Sequence, residues 1–151
     1  MSTQHFLVPI DFSAHADQAL DYAIALAQKL SARLTLVHVI HIMPLGIVDG
    51  GASLPPTYFE TLEADVRQSL ETYNKRVEDA GLESAVRILH GIPFQAIIDV
   101  ARDEQVDMII MGTHGRTGLK HVLLGSVAEK VLRLAPCPVL VTREPSHTTD
   151  H

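Results

Sequence analysis

The chain has 151 residues, 46% of them hydrophobic and 20% charged, which suits one folded domain and excludes a disordered or fibrous chain. Its formal net charge of −6 argues against a general nucleic-acid or anionic-membrane surface, while leaving room for a local basic pocket. A single cysteine, Cys137, cannot form an intrachain disulfide and fits a cytoplasmic location; no stretch approaches the roughly 20 apolar residues that span a bilayer.

Phe6 to Ile10 reads as a first strand, and its apolar run of only about five residues is too short for a signal h-region. Ser13 is placed to cap a helix whose Ala16, Leu20, Ala23, Ile24, Ala27 and Leu30 form one stripe. Arg33 to Ile40 reads as a second strand. His41 to Pro56 holds three glycines and three prolines and reads as a long loop, the candidate lid or partner-contact surface. Phe59, Leu62, Val66, Leu70, Tyr73 and Val77 then mark a long helix that stops near Gly81.

Ala85 to His90 gives a third strand, and Phe94, Ile97, Ile98 and Ala101 a short helix after Pro93. Val106 to Met111 is an apolar run bounded by a glycine turn, which reads as a buried strand. Leu124 to Leu132 repeats at helical spacing, and Val139 to Thr142 is the last strand. Cys137, between Pro136 and Pro138, reads as a packed thiol, and 144–151 as a polar tail.

Apolar strands alternating with amphipathic helices imply a parallel sheet covered on both faces. Right-handed crossovers make it a doubly wound α/β domain with its ligand cleft at the carboxyl ends of the strands. Three segments fall at those ends: Pro9-Ile10-Asp11, Val39-Ile40-His41, and the turn Gly112-Thr113-His114-Gly115-Arg116-Thr117-Gly118. Strand, glycine-rich turn and helix together aim backbone N–H groups at an anion, so the turn points to phosphate. The chain has no G-x-x-x-x-G-K-[ST] loop, and its first strand ends in Asp11-Phe12-Ser13 instead of G-x-G-x-x-G. Neither P-loop chemistry nor the usual dinucleotide turn is supported.

Gly112 and Gly115, followed after nine residues by Gly125-Ser126, resemble the G-x-x-G, nine residues, G-[ST] motif of the ATP-binding branch of the universal stress protein family. The opening Leu7-Val8-Pro9-Ile10-Asp11-Phe12-Ser13 and the ending Cys137-Pro138-Val139-Leu140-Val141 resemble the same family. The resemblance implies a single domain over 1–143 with a five-stranded parallel sheet. The fold would be a Rossmann-like sandwich of the adenine nucleotide alpha hydrolase-like type. It implies that Pro9, Ile10 and Asp11 border adenine and ribose, that Val39 lines the adenine pocket, and that Met111 closes its wall. Gly112 and Gly115 would let the backbone wrap ribose and phosphates. Gly125, Ser126 and Val127 would offer N–H groups to the phosphates, with Arg116 reaching the terminal one. ATP is the implied ligand, with ADP or AMP as alternatives and Mg or Mn held only through the phosphates. A homodimer through Val139–Thr142 is implied too, since an edge strand invites pairing.

Structural roles compete with these. Ser126 and Glu129 form an S-x-x-E pattern, a capping box that stabilises a helix without a ligand. Ser13 serves its own helix as a cap; Asp11 has the place of a turn residue; Val39 and Met111 have the character of core; Arg116 fits a solvated loop. His114 in a phosphate loop suggests acid–base chemistry, but the resemblance does not imply a catalytic histidine. His38 and His41 lack metal-ligand spacing. A nucleotide-dependent regulator or sensor in the stress response is therefore the favoured function, with slow or no hydrolysis. A slow ATPase or phosphotransferase is the alternative, although no base or carboxylate cluster stands beside the glycines. A dimeric interaction module without nucleotide comes third.

Overall fold

A computed structural model describes residues 3–41, 56–114 and 124–143. The expected loop (over 42–55), Gly115, Arg116 and the tail lie outside the described residues. The elements run β1 (His5–Pro9), α1 (Ala14–Leu30), β2 (Arg33–His41), α2 (Pro56–Asp79), β3 (Ser84–Gly91), α3 (Pro93–Asp103), β4 (Met108–Gly112), α4 (Ser126–Leu134) and β5 (Val139–Thr142). All neighbouring strands are parallel, in the order β3-β2-β1-β4-β5. The expected doubly wound α/β fold is the observed one, and β1 and β4 flank its switch point.

The alternation of side chains along a strand divides the core in two. Phe6, Val8 and Ile10 of the β1 segment join Leu34, Leu36, Ala23, Leu70 and Val77 under α1 and α2. Leu7, Val37, Ile109 and Met111 join Ile97, Ala101, Ala128 and Val131 under α3 and α4. Burying both faces explains why the strands read as continuous apolar runs.

Local chemistry sets the boundaries. Ser13 caps α1 as expected: its backbone is extended and its hydroxyl accepts from the Ala16 N–H at 3.1 Å. Gly81 follows α2 at φ +80, the left-handed turn a glycine takes without strain. β4 starts later than its apolar run suggests. Val106 N–H bonds back to Ala101 O, and Asp107 exchanges two bonds with His5, each 2.8 Å, so the ladder opens at Met108. Leu30, on the expected buried stripe, is instead half-exposed where α1 ends and Ser31 turns left-handed. Phe59 is exposed as well, because burial on α2 begins at Val66. Cys137 is partly buried against the second core, and that burial pushes its thiol pKa up and leaves it protonated.

Candidate functional site

The switch point opens because of a proline. Ile10 donates its N–H to Val37 O on β2 at 2.7 Å. Backbone groups alternate in direction along a strand, so the position before it faces β4. That position is Pro9, which has no N–H to give. The β1–β4 ladder accordingly stops at Leu7↔Ile109, whereas β1–β2 continues to Pro9↔Val37. Beyond Ile109 the two strands are free to part, and the crevice lies between Pro9 and Met111–Gly112.

Asp11 stands on the β1 side of this crevice. Its Oδ1 accepts from both the backbone N–H of Ser13, at 3.0 Å, and the Ser13 hydroxyl. Its Oδ2 has no hydrogen-bond partner among the described residues and is available to a ligand. The side chain of Ile10 is buried in the core under α1 and α2, and its N–H and C=O are both tied to β2. Ile10 therefore shapes the site by fixing the backbone. Val39 is partly buried on the opposite face, beside the core under α3 and α4. Met111 lies on that same face but is nearly fully buried, so it supports the wall from behind.

Gly112 ends β4 against the first turn of α1, close to His15. Thr113 continues the pairing with β5, its N–H donating to Thr142 O at 3.2 Å. The Thr113 carbonyl accepts from Gly125 N–H at 2.6 Å, which ties the two ends of the glycine-rich turn together at its base. Gly115 and Arg116 lie within the turn, outside the described residues.

The N-terminus of α4 corrects the capping-box expectation. Gly125 is the N-cap, Ser126 is the first helical residue, and no side chain caps the helix. Ser126 sits one position too late: the cap carbonyl that accepts from Glu129 N–H belongs to Gly125, at 2.9 Å. A glycine cap has no side chain to satisfy the first-turn N–H groups of Ser126, Val127 and Ala128, and among the described residues no side chain caps them at the carboxyl end of β4. The helix dipole adds partial positive charge there. Glu129 opposes it, but is paired with Arg133 at 2.6 Å.

His15 and His38 are two neighbours of the site that no motif marks. The His15 ring lies 5.4 Å from that of His114, and His114 Nδ1 is 3.2 Å from Thr113 Oγ1. A glycine ending a buried strand signals a close approach, but the sequence does not say by which element. Among the described residues no group of three or more His, Cys, Asp or Glu is arranged to hold a metal ion, and no helix is long and apolar enough to cross a membrane.

The model of the universal stress protein family matches residues 2–143. The chain belongs to the universal stress protein family. Universal stress protein MJ0531 of Methanocaldococcus jannaschii is 34% identical over 92% of this chain and 81% of its own length. Universal stress protein MJ0577 of the same organism is 36% identical over 91% of this chain and 93% of its own. The solved MJ0577 structure superposes with a TM-score of 0.83, covering 96% of this chain and 99% of that one. Universal stress protein UspA from Lactobacillus plantarum superposes with a TM-score of 0.76 at 28% identity, covering 95% and 99%. As a universal stress protein, the chain has the family's five-stranded parallel sheet, and its crevice lies where open α/β sheets bind ligands.

Proposed function

We propose that this universal stress protein binds an adenine nucleotide, ATP in preference, and acts as a nucleotide-dependent regulator in the stress response with slow or no hydrolysis. The observation that carries this reading is the meeting of three features at one switch point. These are the parting of β1 and β4 at Pro9, the free Asp11 Oδ2, and the uncapped N-terminus of α4. Pro9, Asp11 and Val39 take the nucleoside end, with Ile10 and Met111 supporting them. Ser126 and Val127 donate to the phosphates. The N–H of Gly125, expected to join them, is instead bound to Thr113 O, so Gly125 serves by leaving room beside them. Gly112, Gly115 and Arg116 complete the cradle, and a divalent cation enters only through the phosphates. Slow or no hydrolysis is the reading the sequence favours, because it sets no carboxylate cluster beside the glycines for the base and metal clamp that phosphoryl transfer needs.

We further place one domain over 1–143, with 144–151 as a polar tail, in the cytoplasm, and as a homodimer. β5 is a sheet-edge strand. A groove of about 650 Å³ runs beside it between Gln18, Asp21 and Tyr22 of α1 and Leu140 to Arg143. Unpaired strand edges favour pairing with a second copy.

The deciding experiment is mass spectrometry of the small molecule retained by gently purified protein, with titration calorimetry against ATP, ADP, AMP and cyclic AMP. Gly115→Val should abolish retention while the protein stays folded. ATP affinity weaker than about millimolar in the wild type would return the chain to the class of interaction modules. Phosphate release near 1 per second, within the ordinary enzymatic range, would make it an ATPase. Light scattering showing a monomer at micromolar concentration would remove the dimer.

A further inference from the structure

We propose that His38 is a positioning residue for the nucleotide site, holding the Ile10–Phe12 turn so that Asp11 is presented to the ligand. The inference rests on the nucleotide reading above and names the residue that prepares its β1 side.

The geometry comes from β2. His38 and Val39 are successive residues of one strand, so their side chains leave opposite faces of the sheet. Val39 faces the α3–α4 side, whereas His38 faces the side on which Ile10 and Phe12 pack. There Nδ1 of His38 lies 2.6 Å from the carbonyl oxygen of Ile10. A carbonyl only accepts, so Nδ1 carries the proton and donates. With Ile10 N–H already given to Val37 O, both polar groups of that peptide residue are bound to β2 just where β1 ends.

The same ring holds the next part of the turn. Phe12 has φ +64, a left-handed backbone that a bulky residue keeps only when its surroundings over-determine it. Its ring is gripped from two elements: His38 lies 4.6 Å away between centroids, and Tyr73 of α2 lies 5.7 Å away. Asp11 sits between the two residues that His38 fixes, with Oδ1 committed to Ser13 and Oδ2 left for the ligand. Loosening Ile10 or Phe12 redirects that carboxylate without touching the ligand. Orientation of the carboxylate is thus set across the sheet, by a residue of β2.

Two variants separate the donor from the packing. His38→Asn places an amide N–H near the position of Nδ1 and removes the ring; His38→Phe keeps a ring against Phe12 and removes the donor. ATP affinity is measured by calorimetry on each folded protein, with urea midpoints alongside. The expected result is a loss of about tenfold for His38→Phe, the scale of one net hydrogen bond, and a smaller loss for His38→Asn, which keeps the donor and gives up only the ring against Phe12, still held by Tyr73. Loss of affinity that tracks the urea midpoints in both variants, or His38→Phe binding like wild type, overturns the proposal. Should His38→Phe fail to fold, imidazole nitrogen NMR of the wild type replaces it. A protonated Nδ1 whose resonance moves on ATP addition supports the role; an Nε2–H tautomer, or a resonance indifferent to ATP, refutes it. Wild-type protein that binds no ATP instead refutes the nucleotide reading, a result distinct from either.

Discussion

Gly112 and His15 meet through their backbones: a Cβ built on Gly112 would lie 2.8 Å from the Cβ of His15 and 2.9 Å from its carbonyl oxygen. The first glycine of the motif therefore seats the first turn of α1 on the end of β4. It joins the two sides of the crevice before any ligand arrives. Because one of the obstructing atoms is backbone, a methyl group at position 112 has to move the helix.

Gly112→Ala should accordingly destabilise the protein by about 1–3 kcal/mol, the cost of overpacking a tight site. Urea unfolding measures it. A midpoint equal to wild type would mean that α1 can shift freely away from β4.

Ser13→Ala should cost about 1 kcal/mol by leaving the Ala16 N–H without its cap. It also removes the hydroxyl bond to Asp11 Oδ1 and leaves only the backbone N–H of residue 13 to hold the carboxylate, so nucleotide affinity should fall along with the urea midpoint. Ser13→Thr, which keeps the hydroxyl, should recover most of both; failure to do so would contradict the cap as the cause.

Stability should decline as pH falls below about 6.5, through His5. This residue is 3% exposed, with Nε2 2.6 Å from Thr35 Oγ1 and no partner for Nδ1. Burial first, then the Arg33 guanidinium and more weakly that of Arg87, hold its pKa below the ordinary 6.5, outweighing the opposite pull of Glu104 and Asp107. With the folded value depressed, the unfolded chain binds the extra proton first, and stability present above pH 6.5 drains away as pH drops towards the folded value. Urea midpoints across about pH 5 to 8 should slope in the wild type and flatten in a His5→Leu/Thr35→Val double variant, which removes both polar partners. Parallel curves would exonerate His5.

Arg76→Met should cost less than about 1 kcal/mol. Arg76 reaches from α2 to Asp17 and Asp21 on α1 and lies over the Tyr73 ring at 5.5 Å. The charges are substantially exposed, so their attraction is screened by salt. The difference from wild type should shrink between low and high ionic strength, and a deficit that ignores salt would assign the contribution to packing on Tyr73.

Much of this molecule is legible in its sequence because the signals are short-ranged. Strand runs and helical spacing depend on residues a few places apart, and they place the nine elements of the described residues in order. The Ser13 cap and the Gly81 terminator are local for the same reason, as is the nine-residue interval between Gly115 and Gly125. Where the signal is ambiguous by one position, the sequence misleads: Ser126-x-x-Glu129 has the form of a capping box, yet the chain enters α4 through Gly125.

The tertiary structure alone decided the rest, since those features join residues far apart in the chain. Pro9 looks like an ordinary strand residue until the strand order sets β4 on the side where its N–H is missing. His38 finds Ile10 across 28 positions, and Gly112 finds its neighbour on the first helix. No periodicity encodes such meetings. They arise when the sheet closes and brings the ends of β1, β2 and β4 to one edge of the core.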